Sequence, residues 1–294
     1  MEFVVSSRQA GWTVGVLLKR ELGISTTLLN QIKRRPGALL RNGLPVFTNA
    51  VTIAGDRITV DLSDPPAQIP TIPIPMDLDI IYEDEFMLVV NKNAPLAVHA
   101  SSFSPEEPTL ANGLAAHLGP SFTLHPVNRL DRGTTGLMTV AKNQYIHNLL
   151  RQQFHTADFY REYRGVALGI VSPAAGEIRL PIGRCADSPI KRCVRADGAA
   201  SWTGYETLRQ ANGLTLLRLI PHTGRTHQLR LHMAAIGFPL AGDWLYGTED
   251  KALIPRPALH AALLRLRHPV TGALLDLEAP LPADMDALLA PPRR

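Results

Sequence analysis

Apolar residues recur with helical period at several points along the chain. Val14, Leu17, Leu18 and Leu22 share one face of a helix predicted over residues 13–22, with Gly23 placed to end it. Ser25, Thr26 and Thr27 can cap a second helix from Leu28 to Arg35, which Pro36 stops. Ile146, Leu149, Leu150 and Phe154 mark another helical face behind an Asn143 cap, and a face of that kind belongs in a core. Helices are also expected over 110–118, from Arg225 or Thr226 to Ile236, and over 283–289.

Between these stretches the period falls to two. Strands are expected over 37–43, 53–62, 80–82, 87–91, 137–140 and 159–168, with a hairpin of 202–208 and 214–221 around Asn212-Gly213. A strand, a His-Pro-Val-Thr-Gly turn and a second strand fill 259–277. Many strands, few helices and many turns predict an α+β fold, a mixed and mainly antiparallel sheet with flanking helices. Within the 159–168 strand, Tyr160 and Tyr163 lie three apart and point to opposite faces.

Residues 64–75 carry five prolines in twelve positions, an extended and semi-rigid segment. The boundary falls there: a small α/β module over 1–63, a linker over 64–76 and the main domain over 77–294. Residues 1–60 hold 8 Lys and Arg against 3 Asp and Glu, a local +5, whereas the whole chain is only +4. A basic end on a near-neutral body suggests a phosphate-rich partner. No run approaches the ~18 apolar residues of a membrane helix, and the N-terminus lacks a signal-peptide core, so a cytoplasmic protein with no membrane partner is expected. In such a reducing compartment Cys185 and Cys193 are expected as free thiols, and their spacing makes no zinc site.

The candidate chemistry centres on residues 128–140, Asn-Arg-Leu-Asp-Arg-Gly-Thr-Thr-Gly-Leu-Met-Thr-Val. Asp131 stands between Arg129 and Arg132, and Gly133 and Gly136 permit a tight turn before a buried strand. A carboxylate at the mouth of a turn suits a nucleophile or a general base. Lys92, after the 87–91 strand, reads as a surface charge or a substrate contact. The basic loop 183–201 is a candidate grip on a phosphate backbone.

The octet Arg129-Leu-Asp-Arg-Gly-Thr-Thr-Gly136 resembles the signature of the RluA-type pseudouridine synthases, which isomerise uridine in RNA. Residues 81–99, Arg161-Glu-Tyr163, and 222–232 running on to Gly242-Asp-Trp-Leu-Tyr-Gly247 resemble three further blocks of that family, in its order, so the resemblance spans roughly 78–281. It implies an isomerase acting on RNA, with ribosomal RNA of the large subunit favoured over tRNA, the target base extruded, and residues 1–63 serving as an RNA-binding module. The reaction is redox-neutral and needs no energy donor, so no cofactor or metal is expected; a monomer is the default.

The resemblance also implies roles. Asp131 is the reacting carboxylate, as nucleophile at C1′ or base at C2′. Tyr163 is the active-site tyrosine, stacking on the base with its hydroxyl near C5. Spacing alone leaves open whether Arg225 or Arg230 pairs with Asp131; the resemblance assigns Arg230, with Leu229 under the base and Arg225 on phosphate or structure. Arg129 and Asn128 would face the RNA. The chain departs from the family's habit at Asn128 (often His), Thr135 (often Ser), Asn93 and Pro95, and Arg161 (often Lys), which keeps its charge. Two rival readings fit the same residues: an inactive RNA-binding protein of ribosome assembly, and a metal-dependent hydrolase using His222, His227 and His232. The last two histidines would sit about 140° apart on a helix and converge poorly.

Overall fold

The computed structural model describes residues 1–65, 71–101, 104–119 and 122–291, the side chain of His155 excepted. The chain runs through β1 (Glu2–Val4), α1 (Val14–Glu21), α2 (Thr26–Lys33), β2 (Leu39–Arg41), β3 (Leu44–Pro45) and β4 (Arg57–Val60). It continues with β5 (Ile80–Glu83), β6 (Met87–Lys92), α3 (Leu110–Leu118), β7 (His125–Pro126), β8 (Thr135–Ala141), α4 (Gln144–Gln152) and β9 (Tyr160–Leu168). Then follow β10 (Ala175–Ile178), β11 (Ile182–Arg184), β12 (Arg192–Val194), β13 (Thr203–Ala211), β14 (Leu214–Pro221), α5 (Gln228–Ala235), β15 (Leu259–Arg267), β16 (Leu274–Glu278) and α6 (Ala283–Leu289).

Among the described residues the main sheet is ordered β10-β13-β14-β9-β15-β8-β6-β5, with β16 on β15 and β7 on β8. Every pairing is antiparallel except β15 with β8, where His260 faces Thr135 and Ala261 faces Gly136. Period two divides single strands between two layers. Met87 and Val89 of β6 and Leu137 of β8 enter one core cluster, shared with α4 and with Leu17, Leu18, Leu29 and Ile32 of α1 and α2. Leu88, Val90, Met138 and Val140 enter the other, shared with α3 and α5. All seven residues of β8 are buried, as befits a strand covered on both faces.

The N-terminal helices are capped at their starts, Thr13 and Ser25 accepting from the backbone N–H of Val16 and Leu28, so that α2 starts and ends two residues before the expected Leu28–Arg35. They and a small sheet, β1-β4-β2-β3, pack on α4, where the Tyr145 hydroxyl donates to the Leu22 carbonyl. Ile146 and Leu150 are buried there. The proline-rich segment, of which 66–70 lie outside the described residues, is docked at both described ends. Asp64 Oδ2 lies 2.7 Å from His125 Nε2, and its Oδ1 accepts from Gln144 N; Ile72 and Ile74 bond to Asn112.

Two expectations are corrected here. Helix α5 starts at Gln228, past Arg225 and Thr226, because His227 takes a left-handed conformation (φ 57°) that cannot continue a helix. Cys185 and Cys193 are joined as a disulfide, Cα–Cα 5.4 Å, and are not free thiols. The β11–β12 hairpin brings them together by setting Gly183 opposite Cys193, and Cys185 N donates to Lys191 O.

Candidate active site

Tyr163 of β9 faces Ala261 of β15, and Ala261 faces Gly136 of β8. This three-strand step sets the turn before β8 beside β9. Gly136 (φ 108°) makes the approach feasible, since a Cβ there would fall on the backbone of Ala261. The turn itself closes by Thr134 N donating to Asp131 O.

Its remaining carbonyls are held by cations that the sequence did not single out for this purpose. Lys92 is corrected from a surface charge: it is 2% exposed, and its Nζ donates to Leu96 O (2.9 Å), Asn93 O (3.0 Å) and Arg132 O (3.4 Å). Burial drives its ammonium down to about 7, with Asp131 opposing and Arg256 adding to the shift. Arg256 is locked by Asp284 at 2.8 Å through two nitrogens and reaches Gly133 O with a third. Leu96 N also donates to Arg132 O at 3.1 Å, so backbone and cation together satisfy a loop whose backbone has left the sheet ladder.

Asp131 emerges from this turn with 27% of its side chain exposed, and Arg230 Nη1 donates to its Oδ2 at 3.2 Å. Arg230 is 5% exposed and is gripped from behind by Asp243, whose two oxygens accept from Nε and Nη2 at 2.7 Å each. Burial works against the guanidinium charge, but Asp243 and then Asp131 hold it above the ordinary arginine range. Asp243 is fully buried and its Oδ1 also accepts from Leu245 N and Tyr246 N. The fork therefore has one free edge, and that edge meets Asp131.

Tyr163, 7% exposed, lies in the cluster that holds Leu229 and Leu130. Burial raises its hydroxyl above the ordinary phenol range, Arg161 opposing and Asp131 adding. Tyr160 points the other way, donating to Glu162. His227 Nε2 stands 3.9 Å from Asp131 Oδ2, and its Nδ1 is 2.9 Å from the Tyr246 hydroxyl. Arg129 is exposed beside Asp131.

Arg225 lies apart from Asp131. It is exposed, and its Nε donates to Ala200 O. Asn128 is a correction: expected to face RNA, it is 4% exposed and spends its amide on Leu137 O and Thr139 N of β8. The three histidines scatter. His222 stacks on Trp202 at 3.7 Å, His227 faces Asp131, and His232 is bonded to Thr203 and Leu180. Among the described residues no group of three His, Cys, Asp or Glu is arranged to hold a metal ion.

A carboxylate, a guanidinium and a phenol thus share one partly open site over the central strands of a mainly antiparallel sheet. The family of RNA pseudouridylate synthases matches over residues 86–235, which contain all three. An uncharacterized RNA pseudouridine synthase of Bacillus subtilis, YlyB, is 40% identical over 87% of this chain and 86% of its own. Ribosomal large subunit pseudouridine synthase D of Neisseria meningitidis is 37% identical over 87% of this chain and 72% of its own. The solved structure of human RNA pseudouridylate synthase domain containing 1 superposes with a TM-score of 0.60 at 26% identity, over 73% of this chain and 89% of that one.

The chain belongs to the RNA pseudouridine synthases, on their RluA-type branch. It is an isomerase whose substrate is RNA. Among the described residues no helix is long and apolar enough to cross a membrane.

Proposed function

We propose that this chain converts specific uridines of large-subunit ribosomal RNA to pseudouridine in the cytoplasm, with Asp131 as the reacting carboxylate. The observation that carries the reading is the Arg230–Asp131 contact, in which an arginine immobilised by Asp243 presents its last free edge to a half-open aspartate. Isomerisation breaks the N1–C1′ bond, turns the base and rejoins it through C5. Asp131 acts at the sugar, by attack at C1′ or proton removal at C2′. Arg230 orients the carboxylate and neutralises its charge. Tyr163 stacks on the extruded base, and in the last step its hydroxyl oxygen receives the C5 proton as its own hydrogen passes on to water, while Leu229 packs below. Extrusion costs a few kcal/mol, offset by these contacts and by Arg129 filling the gap or binding the phosphate. Arg225 serves the backbone or the fold.

Large-subunit ribosomal RNA is favoured by the name of the Neisseria relative and by the +5 charge of residues 1–60, proposed as an RNA-binding module joined by the 64–76 segment to the catalytic domain over 77–294. The test is to map pseudouridines in ribosomal and transfer RNA from a strain lacking the gene. Loss of discrete sites in large-subunit RNA supports the reading; loss confined to tRNA replaces the substrate; no loss anywhere refutes the proposal.

A further inference from the structure

Among the described residues three non-glycine residues have positive φ: Asn42, Asn212 and His227. The two asparagines stand in Asn-Gly turns, where that conformation is ordinary. His227 stands in no hairpin, and a side chain held in the left-handed region there requires compensation from its surroundings. What the conformation achieves is the aim of the ring. It puts Nδ1 2.9 Å from the Tyr246 hydroxyl and Nε2 on the side of Asp131.

Arg192 N donates to the Tyr246 hydroxyl oxygen at 2.9 Å and leaves the hydroxyl hydrogen free to turn to His227 Nδ1, 2.9 Å away. We assign the hydrogen to that contact. Nδ1 is then the acceptor, and the proton of the neutral ring lies on Nε2, facing Asp131 Oδ2 at 3.9 Å. The charged and titratable groups around the ring are Asp131, Arg230, Arg192, Asp243 and Tyr246. Burial lowers the imidazole below the ordinary histidine range, with Arg230 and Arg192 adding to the shift and Asp131 and Asp243 opposing it. Burial keeps Tyr246 protonated as a donor. Both donors aimed at Asp131 address Oδ2; among the described residues no side chain donates to Oδ1.

We propose that His227 and Tyr246 are a positioning pair for the reacting carboxylate, Tyr246 holding the His227 ring so that its Nε2–H and Arg230 together fasten Asp131 Oδ2 and leave Oδ1 for the sugar. The 3.9 Å gap closes to a hydrogen bond when substrate seats. This rests on Asp131 being the reacting group. Tyr246 acts through His227, and both act through Asp131.

Total RNA from a strain lacking the gene, labelled with tritium at uridine C5, is the probe, since joining C5 to C1′ must expel that tritium. His227→Ala lowers kcat about tenfold or more with KM unchanged, as expected for loss of one donor to a reacting group. His227→Gln, which keeps an N–H and an acceptor, recovers much of the loss. Tyr246→Phe removes one oxygen and keeps the fold; it lowers kcat severalfold, and adding it to His227→Ala costs nothing more. The inference is overturned if either single variant retains wild-type kcat, if the loss appears in KM alone, or if the two losses multiply in the double variant. Asp131→Asn is run beside them. Full turnover by that variant refutes the underlying reading of Asp131, whereas a dead Asp131→Asn with an unaffected His227→Ala refutes only the positioning pair.

Discussion

Asp243→Asn removes one charge from the best-buried ion pair in the site. Asp243 is 0% and Arg230 5% exposed, so the guanidinium would remain in place with Asp131, 27% exposed and 3.2 Å away, as its sole carboxylate. Removing one partner of a buried pair costs about 3–5 kcal/mol, because the other charge stays buried without compensation. Asparagine keeps an oxygen for Leu245 N and Tyr246 N, which places the expectation near the lower end, about 3 kcal/mol. For a chain of this size that lowers Tm by about 6 °C or more. Thermal and urea unfolding of wild type, Asp243→Asn, Arg230→Met and the double variant close the cycle. The double variant should be more stable than Asp243→Asn alone, since it no longer buries a lone charge. An Asp243→Asn protein within about 0.5 kcal/mol of wild type would refute the reasoning, because that is the scatter of an ordinary surface substitution.

Lys92 gives a pH-dependent prediction. Its folded value of about 7 lies below the ordinary 10.5, so between those values the unfolded chain binds the extra proton and stability on its account rises with pH. The stability of wild type relative to Lys92→Met should be flat below pH 7 and climb above it by up to about 1.4 kcal/mol per pH unit, measured by urea unfolding from pH 6 to 9; a flat difference contradicts the assignment. Gly136→Ala should destabilise by about 3 kcal/mol or more, or abolish soluble expression, because its Cβ meets the Ala261 backbone at φ 108°; a normally folded variant refutes the close approach of β8 to β15. Thiol titration of the denatured protein, purified without reductant, should find no reactive thiol, and two after reduction; two before reduction would show the cysteines unpaired.

Much of this was legible in the sequence for a local reason. The helices over 110–118 and 283–289 fall within the expected bounds, and the Asn212-Gly213 hairpin is where its turn chemistry sets it, because caps, period and turn residues are all short-range signals. Asp131, Arg230 and Tyr163 follow from motif resemblance, yet no spacing rule could bring residues 99 apart to 3.2 Å; the packing of α5 (Leu229, Met233) into the core cluster that holds Leu130 and Met138 does that. What was missed is non-local or conformational. The burial of Lys92 depends on a turn 40 residues later, and the role of Asp243 on a partner 13 residues earlier. The start of α5 turns on the φ of one histidine, which propensity does not report. Asn128 faces inward because β8 offers it a donor and an acceptor that solvent would otherwise have to supply.

The most direct test of the central claim is tritium release from C5-labelled RNA of a strain lacking the gene, under single-turnover conditions, by wild type and Asp131→Asn. The account predicts release by the wild type and none above background by a variant that is equally folded and still binds the RNA. Release by Asp131→Asn at the wild-type rate would contradict it.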